Sequence, residues 1–128
     1  MASRVLLDTN VLIDYLRGQK EAITYLDALT EERLISTITV AELYAGIRDG
    51  DERDRMDQFI MAFELVPIDS EVAIKGGLYR RDYGPSHGTG LADALIAASA
   101  EIRGATLVTK NERHFPMVRQ LHVPYGKN

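Results

Sequence analysis

The chain has 128 residues, 45% of them hydrophobic, which suits a single domain spanning residues 1–128 around one core. Its 19 acids outnumber its 15 bases, for a formal charge of −4. That excludes a protein that coats nucleic acid through a broad basic face, but not an enzyme that acts on it at one acidic spot. With no cysteine, disulfides and thiolate zinc sites are excluded. No apolar run nears the ~20 residues of a membrane span and no signal-peptide pattern opens the chain, so a cytoplasmic protein is expected.

In chain order, short apolar runs alternate with longer helical patterns. Strands are expected at Val5–Leu7, Leu34–Ser36, Leu65–Ile68 and Thr106–Thr109, with Leu121–Val123 a weaker fifth. Helices are expected at Val11–Arg17, Ala22–Leu29, Val40–Arg48, Arg53–Phe63, Val72–Tyr83 and Leu91–Arg103. Gly84-Pro85-Ser86-His87-Gly88 reads as a loop. The alternation predicts an α/β fold: a central parallel sheet of four to five strands with helices on both faces. Right-handed crossovers place the strands' carboxyl ends along one edge, where such folds bind ligands.

Three acids fall at that edge. Asp8 follows the first strand directly, in VLLDTNVLI. Glu42 lies early in the helix after the second strand, although Thr39-Val40-Ala41-Glu42 also reads as a capping box. Asp93 opens the helix GLADALIAASA, where Leu91, Leu95, Ala98 and Ile102 mark an apolar stripe among alanines. A helix this apolar is expected to be buried, and a carboxylate inside it costs several kcal/mol, roughly, unless a cation or strong donors satisfy it. A first-turn acid on the helix dipole is the alternative. Asn111, after the fourth strand, reads as an N-cap whose amide oxygen can also meet a metal.

Jointly, Asp8, Glu42 and Asp93 come from three separate helix starts that the fold brings to one edge. Clustered carboxylates repel and call for a cation, and all-oxygen ligation selects Mg²⁺ or Mn²⁺. The matching chemistry is attack of metal-activated water on a phosphodiester. Thr9, Asn10 and Thr109 are placed to hydrogen-bond the carboxylates. Lys110 and Arg113 flank the edge as candidate phosphate contacts, ahead of Arg80, Arg81 and Arg119. His87, His114 and His122 show no ligand spacing and read as surface residues.

Four blocks, VLLDTNVLIDYL, TITVAELYAGI, GLADALIAASA and TLVTKNERHF, resemble the PIN-domain ribonucleases, specifically the VapC-type toxins of bacterial toxin–antitoxin pairs. They occur in that family's order over nearly the whole chain. The resemblance implies a three-layer PIN-like fold and a Mg²⁺-dependent endoribonuclease, with Mn²⁺ able to substitute. It also implies a homodimer, silenced by a VapB-type antitoxin. Asp8, Glu42 and Asp93 fall where that family keeps acidic metal ligands. The chain departs from the pattern at Asn111, where a fourth acid is common, and at His114, often acidic in relatives. Both departures put a second metal in question.

Two other classes fit parts of the sequence. A receiver-like signalling domain would phosphorylate Asp69 and pair it with Lys110, leaving Glu42 and Asp93 without work. A dehalogenase-type phosphatase needs an acid where Asn10 stands. A third reading, an inactive PIN relative used as a binding module, rests on the missing fourth acid.

Overall fold

Successive residues in the central strands point to opposite sides, and both sides are apolar. Val5 and Leu7 enter one core cluster with Ile35 and Val108, while Leu6 enters another with Leu34 and Leu107. A parallel sheet covered on both faces produces this continuous apolar run rather than an apolar–polar alternation. The computed structural model describes residues 3–126.

Five strands, β1 (Arg4–Leu7), β2 (Glu32–Ser36), β3 (Glu64–Val66), β4 (Thr106–Val108) and β5 (Leu121–His122), form one sheet in the order β3-β2-β1-β4-β5. Every pairing is parallel; Leu6 stands between Leu34 of β2 and Leu107 of β4. The helices are α1 (Thr9–Leu16), α2 (Lys20–Asp27), α3 (Thr37–Ala45), α4 (Asp51–Ile60), α5 (Ser70–His87) and α6 (Leu91–Ile102). One face of the sheet is covered by Val11, Leu12, Leu26, Leu43 and Met56 from α1 to α4. The other is covered by Ile96, Ala97 and Ala100 of α6, closed at the end by Phe115.

This is the α/β sandwich expected, with the weak fifth strand present. The chain builds outward from β1 through β2 to β3, then returns to β4 on the other side of β1. The order of strands therefore reverses between β1 and β4, which opens a crevice at their carboxyl ends.

Two expectations fail locally. The 84–88 segment is not a loop, because α5 continues through Pro85 to His87. Gly84 precedes the proline and has no Cβ to clash with the ring, so the usual bar on a helical residue before proline is relaxed. The stop comes instead at Gly88, with φ of +67°, whose N–H closes on the Gly84 carbonyl at 3.0 Å. Helix α3 starts at Thr37 rather than Val40, because Ser36 caps it by accepting from the Ile38 N–H at 3.2 Å.

Candidate active site at the carboxyl edge of the sheet

Asp8 sits where the chain leaves β1, at the reversal point. Its N–H donates to the Val108 carbonyl at 2.9 Å, extending the β1–β4 pairing one residue beyond the strands. Its carboxylate is held at both oxygens. Oδ1 accepts from the Thr9 N–H at 2.8 Å, making Asp8 the N-cap of α1, and Oδ2 accepts from the Thr109 hydroxyl at 2.7 Å. Thr109 accepts in turn from the Asn111 N–H at 3.0 Å.

Asp8 is only 4% exposed. Burial pushes its carboxyl from 3.8 up to about 6; the charges of Asp93 and Glu42 add to the rise, while the bonds from Thr109 and Thr9 oppose it. None of the ion pairs among the described residues involves Asp8 or Glu42. A buried acid near two others, with neutral donors alone, is an uncompensated charge.

Glu42 is the sixth residue of α3, so the capping box expected at Thr39–Glu42 does not form. Thr39 is inside the helix and fully buried. Glu42 is held from elsewhere: its Oε1 accepts from the Thr9 hydroxyl at 2.7 Å. That hydroxyl has one hydrogen, so Thr39 must be the donor in the 2.9 Å Thr39–Thr9 contact.

Asp93 differs from the buried acid expected of its helix. Its side chain is 27% exposed, because the buried residues of α6 are Ala94 and Ile96 to Ala100, while its first turn is open. The Gly90 N–H stands 3.4 Å from Oδ2, the weak first-turn contact that sequence reading allowed. The burial argument raised for Asp93 belongs to Asp8.

The other candidates divide. Thr9 and Thr109 hold carboxylates as expected, but Asn10 does not: its Oδ1 is a buried acceptor without a partner among the described residues. Asn111 precedes the 3₁₀ turn Glu112–His114 but makes no side-chain cap bond. Lys110 is not free for phosphate. Its Nζ is 2.5 Å from Asp14 Oδ2, which also accepts from the Tyr125 hydroxyl at 2.8 Å. Arg113 is exposed in the 3₁₀ turn. Among the described residues, no three His, Asp or Glu side chains converge tightly enough to grip one ion.

The receiver-like reading loses its pair. Asp69 caps α5 by accepting from the Val72 N–H at 3.0 Å, beyond the edge strand β3, while Lys110 belongs to Asp14.

Acids after β1, within α3 and at the start of α6 are set on a sheet of reversed order. The family model for the PIN domain matches residues 5–120 of this chain. The chain belongs to the PIN domain family. Ribonuclease VapC19 of Mycobacterium tuberculosis is 38% identical over 124 residues, covering 94% of this chain and 98% of that protein. Ribonuclease VapC10 of the same organism is 36% identical over 125 residues, covering 95% and 93%. A toxin–antitoxin complex from Klebsiella pneumoniae contains a chain that superposes with a TM-score of 0.84 at 29% identity, covering 96% of this chain and 99% of that one.

Sequence reading passed over two residues of this PIN domain. Thr39 was readable as a polar residue in the otherwise apolar start of α3, but the misplaced capping box absorbed it. His114 was set aside as a surface residue, yet its Nδ1 lies 3.4 Å from Asp93 Oδ2. Its place three residues after Asn111, in the same edge turn, was the available signal. His87 and His122 are exposed, as expected.

No helix among the described residues is long and apolar enough to cross a membrane.

Proposed function

We propose that this PIN domain is a metal-dependent endoribonuclease, the toxin of a toxin–antitoxin pair, acting in the cytoplasm on RNA phosphodiester bonds. The observation that carries the reading is Asp8, an acid buried at the sheet's reversal point with two further acids in electrostatic reach and no ion pair of its own among the described residues. Asp8, Glu42 and Asp93 would hold Mg²⁺, or Mn²⁺ in its place, since carboxylates select hard ions. When bound, such an ion supplies an activated water for attack on phosphorus and offsets charge on the leaving oxygen. The names of the ribonuclease relatives support RNA as the substrate class. The toxin–antitoxin complex supports a VapB-type antitoxin as partner, and a homodimer accompanies that assignment.

The chain's own residues prepare the site. Thr9 spaces two of the acids, holding Asp8 through its N–H and Glu42 through its hydroxyl. Thr109 fixes the second oxygen of Asp8 from across the crevice. Among the described residues Asp93 has only the 3.4 Å contacts to Gly90 and His114, so it is the most loosely held of the three acids. Of the two leading candidates for phosphate contact, Arg113, exposed beside this edge, remains after Lys110 is taken by Asp14.

The test is RNA cleavage by purified wild-type chain beside Asp93→Asn and Asp8→Asn. Cleavage in Mg²⁺ that stops with EDTA, returns with Mg²⁺ and is lost in both variants is expected. Sustained cleavage in EDTA, or wild-type rates in either variant, would refute the metal reading. Absence of cleavage by the wild type on any RNA offered, with ion binding intact, would favour the inactive relative.

A further inference from the structure

The continuation of α5 through Pro85 puts three rings on one helical face: Tyr79, Tyr83 and His87, each four residues from the next. The Tyr79 and Tyr83 ring centroids are 6.3 Å apart at 60°, and those of Tyr83 and His87 are 6.0 Å apart at 69°. No two of these rings stack face to face. Half-buried Tyr83 and exposed His87 therefore keep ring surface open to a ligand.

At one end of the row, Tyr79 and Tyr83 line a cavity of about 550 Å³ with Glu101, Met117, Val118 and Arg119. Its floor is apolar, since Tyr79, Met117 and Val118 pack against the core cluster that includes Ile96, Ala97 and Ala100 of α6. Its acid is already satisfied: Glu101 accepts from the Tyr79 hydroxyl and pairs with Lys75 at 2.6 Å. Arg119 is exposed and makes no ion pair among the described residues. At the other end, His87 leads into the turn that ties α5 to the crevice. There Thr89, 1% exposed, donates its hydroxyl to the His114 carbonyl at 2.6 Å. A Cβ at Gly88 would come within 3.8 Å of His114 Nε2. The row of rings thus runs from the edge that holds Asp93 to a cavity with an apolar floor and an exposed arginine.

We propose that this row and its cavity bind unpaired RNA beside the scissile bond, with bases stacked on Tyr83 and His87 and a phosphate at Arg119. The inference rests on the endoribonuclease reading above and goes beyond it by naming single-stranded RNA as the form bound and the residues that bind it. Stacking on aromatic rings tolerates any sequence, because every base has a π face, while a cation takes the backbone. A duplex keeps its bases stacked inside and cannot offer them to the rings. With a net charge of −4 the chain has no broad basic field, so local contacts of this kind hold the strand. Continuity with the catalytic edge favours RNA over a protein segment as the occupant.

The experiment measures binding of a labelled, unstructured RNA by fluorescence anisotropy, and its cleavage in Mg²⁺, for wild type, Tyr83→Ala, Tyr83→Phe and Arg119→Gln. The same strand as a duplex, and a series with one abasic nucleotide at each position in turn, are the comparison probes. Tyr83→Ala is expected to raise KM roughly tenfold with kcat little changed, while Tyr83→Phe keeps the ring and behaves as wild type. One abasic position should weaken wild-type binding as much as Tyr83→Ala does, and cost Tyr83→Ala nothing further. Arg119→Gln should flatten the log–log salt dependence of binding by about 0.7. Wild-type binding and KM in both Tyr83→Ala and Arg119→Gln would overturn the subsite and leave the endoribonuclease reading standing. So would a Tyr83→Ala loss that no abasic position reproduces, or one equally large on the duplex, since neither is lost stacking. A wild type that neither binds nor cleaves RNA would overturn both. Arg119 is exposed and Tyr83→Phe is conservative, so both variants are expected to fold, and melting curves check this.

Discussion

Thr9 holds Glu42, 33 positions away, through a 2.7 Å bond from its hydroxyl, while its own N–H holds Asp8 at 2.8 Å. One residue thereby fixes the distance between acids that belong to different helices. Thr9→Val keeps the shape and the N–H but removes the hydroxyl. The buried Thr39 hydroxyl then loses its acceptor, which should destabilise the fold by about 1–3 kcal/mol. Glu42 loses its anchor, and RNA cleavage should fall by roughly an order of magnitude or more. Thr9→Ser should keep both properties. Denaturant curves and cleavage rates for the two variants decide it; a Thr9→Val chain as stable and active as wild type would remove Thr9 from the site.

Helices α5 and α6 approach each other over Gly76. A Cβ there would stand 2.7 Å from Leu95 Cδ2 and 3.2 Å from Leu95 Cα, so backbone as well as side chain must give. Gly76→Ala should therefore cost about 1–3 kcal/mol despite the better helix propensity of alanine. Gly77, one residue on and exposed, has nothing within 4 Å of its ideal Cβ. Gly77→Ala should stabilise by up to about 1 kcal/mol. Thermal melts of the pair test the contrast, and equal shifts of the same sign would contradict the close approach. Because α6 carries Asp93, Gly76→Ala should also lower cleavage, whereas Gly77→Ala should leave it unchanged.

The raised pKa of Asp8 makes stability depend on pH in a definite direction. The carboxyl moves from 3.8 to about 6 on folding, chiefly by burial. Between those values the folded chain binds more protons than the unfolded one, so Asp8's contribution to stability falls as pH rises from about 4 through about 6. At neutral pH the loss is on the order of 3 kcal/mol. Wild type should therefore lose stability relative to Asp8→Asn across that window. Mg²⁺ added at pH 7 should restore it in wild type alone, because an ion stabilises only the state that binds it. Denaturation at pH 4, 5, 6 and 7 reads this out, and parallel curves for the two chains would contradict it.

The sheet was legible because β1, β2 and β4 are apolar on both faces, a pattern set by local residues such as Leu6, Leu7, Leu34 and Ile35. Asp8 was legible for the same reason, since an acid ending a buried strand stands out. Helix boundaries were harder. Thr37, Ile38 and Thr39 are β-branched and read as strand or loop until Ser36 is seen to cap the helix. Pro85 read as a break because the tolerance supplied by Gly84 depends on backbone detail. At the site, the three acids could be listed from sequence but not their supports. The Thr9–Glu42 bond and the Lys110–Asp14 pair join distant segments, and only the folded chain decides that Lys110 serves Asp14 rather than phosphate. His114 was hidden because its meaning depends on Asp93 and on the turn at Thr89.

The last prediction concerns how strongly each neighbour acts on Asp8. Of the two nearby acids, Asp93 contributes more to raising the Asp8 carboxyl than Glu42 does. Glu42 is exposed at the rim of the crevice, and water screens its charge. Asp93 is less open to water, with its side chain 27% exposed. Neutralising the two acids should therefore have unequal effects. In metal-free solution, Asp93→Asn should lower the Asp8 pKa from about 6 more than Glu42→Gln does. Neither should return it to 3.8, because burial is the largest cause and both variants leave it in place. Carboxyl carbon chemical shifts of Asp8, followed by NMR across the titration, give the three values directly. Glutamine at position 42 keeps an oxygen to accept from Thr9, so the spacing of the site survives and the comparison isolates charge. Equal shifts, or a larger one for Glu42→Gln, would mean that the two acids sit in the reverse order of influence and that Glu42, not Asp93, is the closer electrostatic partner of Asp8.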